Sequence, residues 1–237
     1  MQAGHVTIAA RECINLNDWD KKEIVRIVCE IAESTRPSGL MLNERYLHHC
    51  FSYLLQIRWN MLDLIGEQNE RIVLHPEWPT YKKQTGLHYG RYRKENGKYM
   101  PTSKGTAGFI DFAVGNYAEP EIGVEFSLKH GWSNEEIVYD FLKLMDKNNS
   151  FSTSISLNMI FRKGKLVRGA YLGDLQNHID DAFKEAVRRL GNEVCDLRAR
   201  DLYLIVTEIA QDNSRRHWHY EKGPNRFEIG LPQIIVN

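Results

Sequence analysis

The stretch from Gly108 to Lys129 constrains this chain more than any other, because it predicts two neighbouring β-strands that carry acids. The first strand, Phe109 to Val114, is apolar apart from Asp111. Glycine, asparagine and proline between Gly115 and Pro120 then predict a turn. A lone carboxylate buried in an apolar strand is costly unless something pairs with it. Asp111 is therefore a candidate ligand for a metal ion.

The second strand, Ile122 to Lys129, alternates apolar and polar residues, as a half-buried strand does. Successive side chains of a strand point to opposite faces, so Glu125, Ser127 and Lys129 share one face. If the first strand lies alongside, Asp111 meets Glu125 on that face. Two acids and a lysine there predict a site for a divalent metal and an activated water. The alternative is a solvated surface on which acid and lysine form an ordinary salt bridge.

Length and composition exclude several classes of protein. The chain has 237 residues, 42% of them hydrophobic, which suffices for one large domain or one domain with an appendage. Its formal net charge is zero, which excludes a uniformly basic nucleic-acid binder but leaves room for a local basic patch. The four cysteines form no CxxC pair, so neither a zinc ribbon nor a disulfide framework is expected. Reduced thiols, with no signal peptide and no apolar run of about 18 residues, predict a cytoplasmic protein without a membrane partner.

Two helices are predicted before the acidic strands. Apolar residues at helical spacing predict the first between Asn17 and Glu33, and we assign it to a helical N-terminal extension of residues 1–40. The second is predicted from Asn43 to Gly66. Glu44 lies in its first turn, where the helix dipole alone favours a carboxylate.

Other metal-binding residue types occur in this helix and after it. Residues 48–50, two histidines and a cysteine, are consecutive, and adjacent helical side chains diverge, so they cannot all ligate one metal and a metal role for them is not expected. A short strand is predicted at Ile72 to Leu74 and continues towards Pro79, where two prolines are typical of a sheet edge. Glu77 in this continuation either faces the same site as Asp111 or is exposed, and both alternatives remain open.

Two segments are rich in basic and aromatic residues. The first, residues 80–107, has no clear periodicity, and the second forms the tail at residues 215–222. Cations that contact phosphate and rings that stack on bases are typical of nucleic-acid-binding loops. The alternative is an ordinary solvated hairpin or loop. The predicted nucleic-acid-binding residues are Lys82, Lys83, Arg91, Arg93, Lys94, Arg215 and Arg216.

Helices and strands alternate after the acidic strands. Ser133 and Glu136 form a capping-box pattern at the start of a helix that runs to about Lys147. Its apolar residues are expected to face inward, with Asp140 and Lys143 on the other side. The remaining predictions are a strand at 155–161, a hairpin return at 166–171, a helix at 175–190 capped by Asp174, and strands at 202–209 and 227–236.

This order of helix, three strands, helix and strand resembles the restriction-endonuclease-like PD-(D/E)XK nuclease superfamily. The resemblance covers roughly residues 43–162 and rests on Asp111 in GFIDF, Glu125 in VEFSLK, and the following helix with YDFLKL. It implies an α/β fold in which helices flank a mixed central β-sheet, in the order αβββαβ. On that basis we assign residues 41–212 to the core domain, and residues 213–237 to a tail and last strand packed on it.

In that family the aspartate and the glutamate hold one or two magnesium ions, and a lysine positions or activates the attacking water. The resemblance therefore implies Asp111 and Glu125 as ligands of Mg²⁺ or Mn²⁺, with the main-chain carbonyl of Phe126 as a third. The family lysine is expected two residues after the glutamate, where this chain has Ser127. Lys129 is the first candidate for the role, because it shares a face with Glu125.

Other residues could complete such a site. A lysine on the following helix is an alternative arrangement in the family, and Lys143 is the candidate here. The family's occasional extra carboxylate on the first core helix corresponds to Glu44, and Glu77 is a further accessory candidate.

The function that follows is a divalent-metal-dependent nuclease that hydrolyses phosphodiester bonds in DNA, with RNA and a homodimeric state left open. Magnesium prefers hard oxygen ligands, neutralises phosphate charge and orients a water for in-line attack. The first alternative is a nucleic-acid-binding or assembly protein on the same fold that has lost catalysis, which Ser127 favours. The second is a small-molecule enzyme or structural protein whose two strands are only a core hairpin.

Overall fold

A computed structural model describes residues 18–35, 43–59, 73–80, 91–115, 119–130, 133–149, 151–163, 166, 172–197, 200–212, 214–222 and 233–235. The helices are α1 (Asp18–Ser34), α2 (Glu44–Trp59), α3 (Asn134–Leu144) and α4 (Leu172–Leu190). The strands are β1 (Val73–Pro79), β2 (Arg91–Glu95), β3 (Lys98–Pro101), β4 (Thr106–Ala107), β5 (Phe109–Gly115), β6 (Pro120–Lys129), β7 (Thr153–Arg162), β8 (Asp201–Ala210), β9 (Arg215–Lys222) and β10 (Gln233–Ile235).

A seven-stranded mixed sheet forms the centre of the fold, in the order β1-β5-β6-β7-β8-β9-β10. The pairs β6–β7 and β7–β8 are parallel, whereas β1–β5, β5–β6, β8–β9 and β9–β10 are antiparallel. A parallel pair needs a crossover connection, and here α3 and α4 provide the two crossovers. The prediction of an α/β fold with a mixed sheet flanked by helices is confirmed.

One face of the sheet is covered by α1 and α2. Apolar residues of α1 such as Ile24 and Ile31 share a fully buried core with Leu157 and Ile205 of the central parallel strands. The helix assigned to an N-terminal extension is therefore part of the central core. The physical reason is that β7 and β8 are buried on both faces, and such strands require a covering layer on each side.

The opposite face is covered by α3 and α4, whose apolar residues pack on β8 and β9.

The starts of these two helices differ from their predictions. Ser133 occupies the N-cap of α3 but its side chain makes no capping hydrogen bond, so the prediction of a capping box was wrong. Glu136 pairs instead with Lys129 at 2.7 Å. Asp174 lies inside α4, which begins two residues earlier than its predicted cap.

Residues 91–107, which we call the wing, form a small antiparallel sheet in the order β3-β2-β4. Positive φ angles at Asn96 (48°) and Gly97 (79°) make the tight turn between β2 and β3, a backbone that Asn-Gly adopts readily. The part of the basic segment that is described is thus a hairpin with a third short strand. Lys82 and Lys83 lie outside the described residues.

The tail packs on the core of the fold. Its residues 215–222 form β9, where Trp218 and Tyr220 are fully buried beneath α4. Only residues 233–235 of the predicted last strand are described, as β10, and the predicted return at 166–171 lies almost entirely outside the described residues. None of the helices in the described ranges combines the length and apolar character needed to cross a membrane.

Candidate functional site

Asp111 and Glu125 lie on the neighbouring strands β5 and β6, as predicted. The last ladder pair between these strands is Phe112 with Val124, so Asp111 stands where the two strands cease to pair. Its Oδ2 accepts the main-chain N–H of Phe126 at 2.6 Å, in place of a ladder partner. The N–H and C=O of one strand residue point to the same side, so the Phe126 carbonyl also faces this opening.

Glu125 is buried and is paired with a lysine of α3. Lys143 Nζ lies 2.5 Å from Glu125 Oε1 and 3.4 Å from Asp140 Oδ1, and donates to the Phe109 carbonyl at 3.2 Å. These three acceptors match the three donors of an ammonium group. Burial alone would lower the pKa of Lys143, but Glu125 and Asp140 outweigh burial and raise it. Burial raises the pKa of Glu125, with Lys143 opposing and Asp111 and Asp140 adding to the increase.

The sequence placed Asp140 and Lys143 on the side of α3 that faces away from the core, and this prediction was wrong. Both are buried, at 9% and 6% exposure. Helix α3 is enclosed by the sheet on one side and by α4 on another, so a charged residue between its apolar positions also faces protein. A charge in that position requires an ionic partner, which Glu125 provides.

Helix α2 brings a second group to Asp111. Ligand atoms of Glu44, His48 and Asp111 all lie within 4.8 Å of one another. His48 Nε2 is 3.4 Å from Asp111 Oδ2, and its ring packs against Phe112 and Phe126 at centroid distances of 5.2 and 5.6 Å. Burial tends to lower the pKa of His48, but the hydrogen bond and charge of Asp111 raise it overall.

The alternation of β6 predicted that Asp111 and Glu125 share one face of the sheet. The structure is less simple. The nearest charged partner of Asp111 is His48 of α2, whereas that of Glu125 is Lys143 of α3, and these helices lie on opposite faces. Asp111 sits at the opening between β5 and β6, and its charge acts on Glu125, Asp140 and Lys143 as well as on His48.

Other predicted residues occupy the rim. Lys129 lies on the α3 side with Glu125, as the alternation predicts, but it pairs with the exposed Glu136. Ser127 is buried, and its hydroxyl has no hydrogen-bond partner among the described residues. Glu77 is exposed on β1 and has a φ of 53°. Its neighbours Pro76 and Trp78 pair with the two residues that flank Asp111. The charge of Glu77 contributes to the raised pKa of His48.

The predicted nucleic-acid-binding residues do not form one surface. Arg91, Arg93 and Lys94 lie on the wing, which joins β5 directly. Arg215 and Arg216 lie on β9, three strands from β6, or roughly 14 Å at the usual strand spacing. The basic residues of the tail therefore do not flank the acidic pair, because β7 and β8 lie between them.

Six side chains thus make up the candidate site: Glu44, His48, Asp111, Glu125, Asp140 and Lys143. Glu125 and Asp140 are buried beside Lys143, while the half-buried Asp111 and the exposed Glu44 lie beside His48. Four carboxylates beside one lysine and one histidine leave an excess of acidic groups. Carboxylate and carbonyl oxygens are the ligands that magnesium and manganese prefer, and a histidine nitrogen suits manganese as well. This set of ligand atoms fits a divalent cation. A bound cation would lower the electrostatic free energy of placing these acids close together.

Sequence reasoning missed the roles of His48 and Asp140. Each stands at helical spacing from a residue already under consideration: Glu44 and His48 are four apart, and Asp140 and Lys143 are three apart. Residues at these spacings lie on one side of a helix, so this signal was present. The divergence of consecutive side chains excludes a metal shared by residues 48–50, but it does not exclude His48 as a partner of Glu44.

Comparison with known proteins adds no further constraint. A scan against protein-family models, a search of curated proteins and a search of solved structures each gave no match.

Proposed function

We propose that this protein is a divalent-metal-dependent nuclease that hydrolyses phosphodiester bonds, with DNA as its substrate. The observation that carries the proposal is the convergence of two groups on Asp111. Glu44 and His48 reach it from α2, while Glu125, held by Lys143, approaches from β6. Acidic ligands can hold a divalent cation, and such a cation together with a lysine can stabilise the negative charge of the phosphate and of its transition state.

The restriction-endonuclease-like fold is part of the proposal. The order α2, β1, β5, β6, α3, β7 supports it, with antiparallel β1–β5–β6 followed by a crossover to parallel β7. The wing between β1 and β5 would be an insertion into that core. The cytoplasmic location and the homodimeric state stay predictions.

The chain offers a consistent set of metal ligands for Mg²⁺ or Mn²⁺. Asp111, Glu125 and the Phe126 carbonyl would hold the ion, with Glu44 and His48 as additional ligands. When bound, the ion would neutralise phosphate charge and orient a water for attack. Asp111 is held in place by the N–H of Phe126, so its carboxylate has a fixed direction.

Lys143 replaces Lys129 as the proposed catalytic lysine. Its ammonium lies next to Glu125, whereas Lys129 is engaged at the rim by Glu136. Because its pKa is raised, Lys143 stays protonated at neutral pH and acts as a cation that stabilises charge on the phosphate, not as a base. Asp140 positions that ammonium from one turn earlier on α3.

A second candidate function is binding without catalysis. Two observations favour it: Ser127 stands at the position of the family's lysine, and Lys143 already neutralises Glu125 at 2.5 Å. In such a protein the ion pair would be structural, and the wing would supply nucleic-acid binding.

Cleavage and metal binding separate these functions. Plasmid, linear duplex and single-stranded DNA are incubated with the protein in Mg²⁺, Mn²⁺ or EDTA, and Mn²⁺ binding is measured by calorimetry. We expect metal-dependent cleavage that Asp111→Asn and Glu125→Gln each reduce by at least about 100-fold, since each removes a charged ligand. DNA binding in EDTA should persist in both variants. Metal-independent or undiminished cleavage would contradict the proposal, and binding without any cleavage would select the second function.

A further inference from the structure

The wing carries a concentrated positive charge in a chain of zero net charge. Its residues 91–107 include five basic side chains and one acid. The register of β2 and β3 places Arg93 and Lys98 on one surface, opposite to that of Tyr92 and Tyr99. Arg93 and Lys98 are exposed, and the exposed Glu95 lies between them on the same surface, 3.8 Å from Arg93. With Arg91 on this surface as well, three cations outnumber one acid, so the surface presents a net positive charge to solvent.

The aromatic rings of the wing point the other way. The ring of Tyr99 stacks on Tyr139 of α3 at a centroid distance of 3.9 Å, and Tyr92 is buried with its hydroxyl donating to the Leu142 carbonyl at 3.1 Å. Single-stranded nucleic acids are usually held by exposed rings on which bases stack. In the described wing, β2 and β3 offer no such ring on the outer surface.

The wing is also fixed relative to the candidate site. Glu135 of α3 accepts the N–H of Tyr99 at 2.5 Å, and Arg189 of α4 donates to the Tyr99 carbonyl at 2.9 Å. Arg189 in turn pairs with Glu135 at 2.6 Å. These bonds attach β3 to both helices that cover this face, one of which carries Lys143.

The connection from the wing to the site is short. Asp111 follows Ala107, at the end of β4, by four positions, and an extended strand of four steps spans about 13 Å. Gly108 between them is clamped by Thr80, which accepts its N–H and donates to its carbonyl, both at 3.0 Å. A duplex carries roughly one phosphate charge per 1.7 Å of its axis, so about 15 Å of duplex offers roughly nine phosphates.

We propose that the outer surface of the wing, through Arg93 and Lys98 with Arg91 beside them, binds the phosphate backbone of duplex DNA. This inference rests on the proposed function, because it names the form of substrate that the same site would act on. Charge complementarity selects phosphate, and the inward-turned rings select duplex over single strands. A two-stranded ribbon with a tight turn also fits the width of a major groove.

Equilibrium binding tests this inference in EDTA, where metal-dependent cleavage is suppressed. Fluorescence anisotropy is recorded for a 24-base-pair DNA duplex and for each of its single strands, from about 50 to 300 mM salt. The variant is Arg93→Ala with Lys98→Ala. The control is Lys22→Ala with Lys184→Ala, which removes the same charge from exposed positions on α1 and α4.

We expect the wild type to bind duplex more tightly than single strands. The wing variant should lose affinity for duplex, with a salt slope smaller by about two, since each lost phosphate contact lowers it by about one. The control should retain both. Equal losses in the two variants, tighter single-strand binding, or equal competition by polyglutamate would overturn the inference.

The failure of this inference is distinguishable from failure of the proposed function. If metal-dependent cleavage occurs but the wing variant binds duplex like the wild type, the wing is not the binding surface and the nuclease proposal stands. If duplex binding depends on the wing but no metal supports cleavage, the inference stands and the nuclease proposal does not.

Discussion

Removing the charge of Lys143 should destabilise the protein far more than removing that of Lys129. The side chains of Lys143 and Glu125 are 7% and 3% exposed, whereas those of Lys129 and Glu136 are 17% and 54% exposed. Loss of one partner from a buried pair leaves an uncompensated charge and costs about 3–5 kcal/mol, while exposed pairs contribute about 0–1 kcal/mol. We therefore expect Lys143→Met to lower the free energy of unfolding by about 3 kcal/mol at pH 8, and Lys129→Met by less than about 1 kcal/mol.

The cost of Lys143→Met should depend on pH in a predictable direction. Burial raises the pKa of Glu125, and without the lysine nothing opposes that increase. The folded variant then binds more protons than the unfolded chain above the ordinary pKa of a glutamate, so its stability falls as pH rises through the raised pKa. Lowering the pH should restore up to about 1.4 kcal/mol per pH unit for one proton.

Urea unfolding followed by tryptophan fluorescence measures these quantities, since the chain has five tryptophans. Both methionine variants are compared with the wild type between pH 6 and 8, and cleavage is assayed in parallel. Lys143→Met should abolish cleavage and Lys129→Met should retain it. Adding Ser127→Lys to Lys143→Met tests whether a lysine at the family's position restores activity. Equal destabilisation by the two variants, or a pH-independent cost at Lys143, would refute the argument from burial.

Three further predictions concern the surroundings of the site. His48→Ala should weaken Mn²⁺ binding and make it less dependent on pH, because the pKa of His48 is raised and a protonated imidazole cannot bind metal. Calorimetry from pH 5.5 to 8 measures this, and an unchanged pH profile would exclude His48 as a ligand. Gly108→Ala should cost about 1–3 kcal/mol and lower cleavage, because a Cβ there would lie 3.0 Å from the Tyr139 hydroxyl and 3.2 Å from Lys143 Cδ. If Gly108→Ala kept the thermal stability and activity of the wild type, the neighbouring side chains would be shown to move aside without loss of stability. Tyr92→Phe should cost about 1–2 kcal/mol by removing hydroxyl contacts to Leu142 and Asp146, with little effect on metal binding.

The acidic strands were predictable because their sequence determines them locally. Alternation along β6 assigns Val124 and Phe126 to the α1–α2 core and Glu125 to the other side, and the structure agrees. A one-residue shift would bury the charged set in that apolar core, so the register is strongly specified. The adjacency of β5 and β6 follows from the four-residue connection between them.

Long-range packing decided the features that the sequence did not reveal. Lys143 reads as a solvent-facing residue of an amphipathic helix, yet α3 packs so that its ammonium contacts Glu125 of β6 and the Phe109 carbonyl of β5. Trp218 and Tyr220 lie in a basic-aromatic run that was predicted to contact nucleic acid, yet both side chains are buried with apolar residues of α4. His48 reaches Asp111 because α2 packs on Phe112 and Phe126, which no local pattern encodes.

The burial of α1 against β7 and β8 has a consequence for how the chain folds as it is made. Helix α1 ends at Ser34, and the last strand it covers ends at Ala210. At 5–20 residues per second, synthesis of the roughly 170 residues between them takes on the order of 10 to 30 s. Until β7 ends at Arg162, Ile24, Ile27 and Ile31 lack both of these strands, and until Ala210 they still lack β8. The nascent chain should therefore need a chaperone, or transient burial by α2, until β8 has left the ribosome.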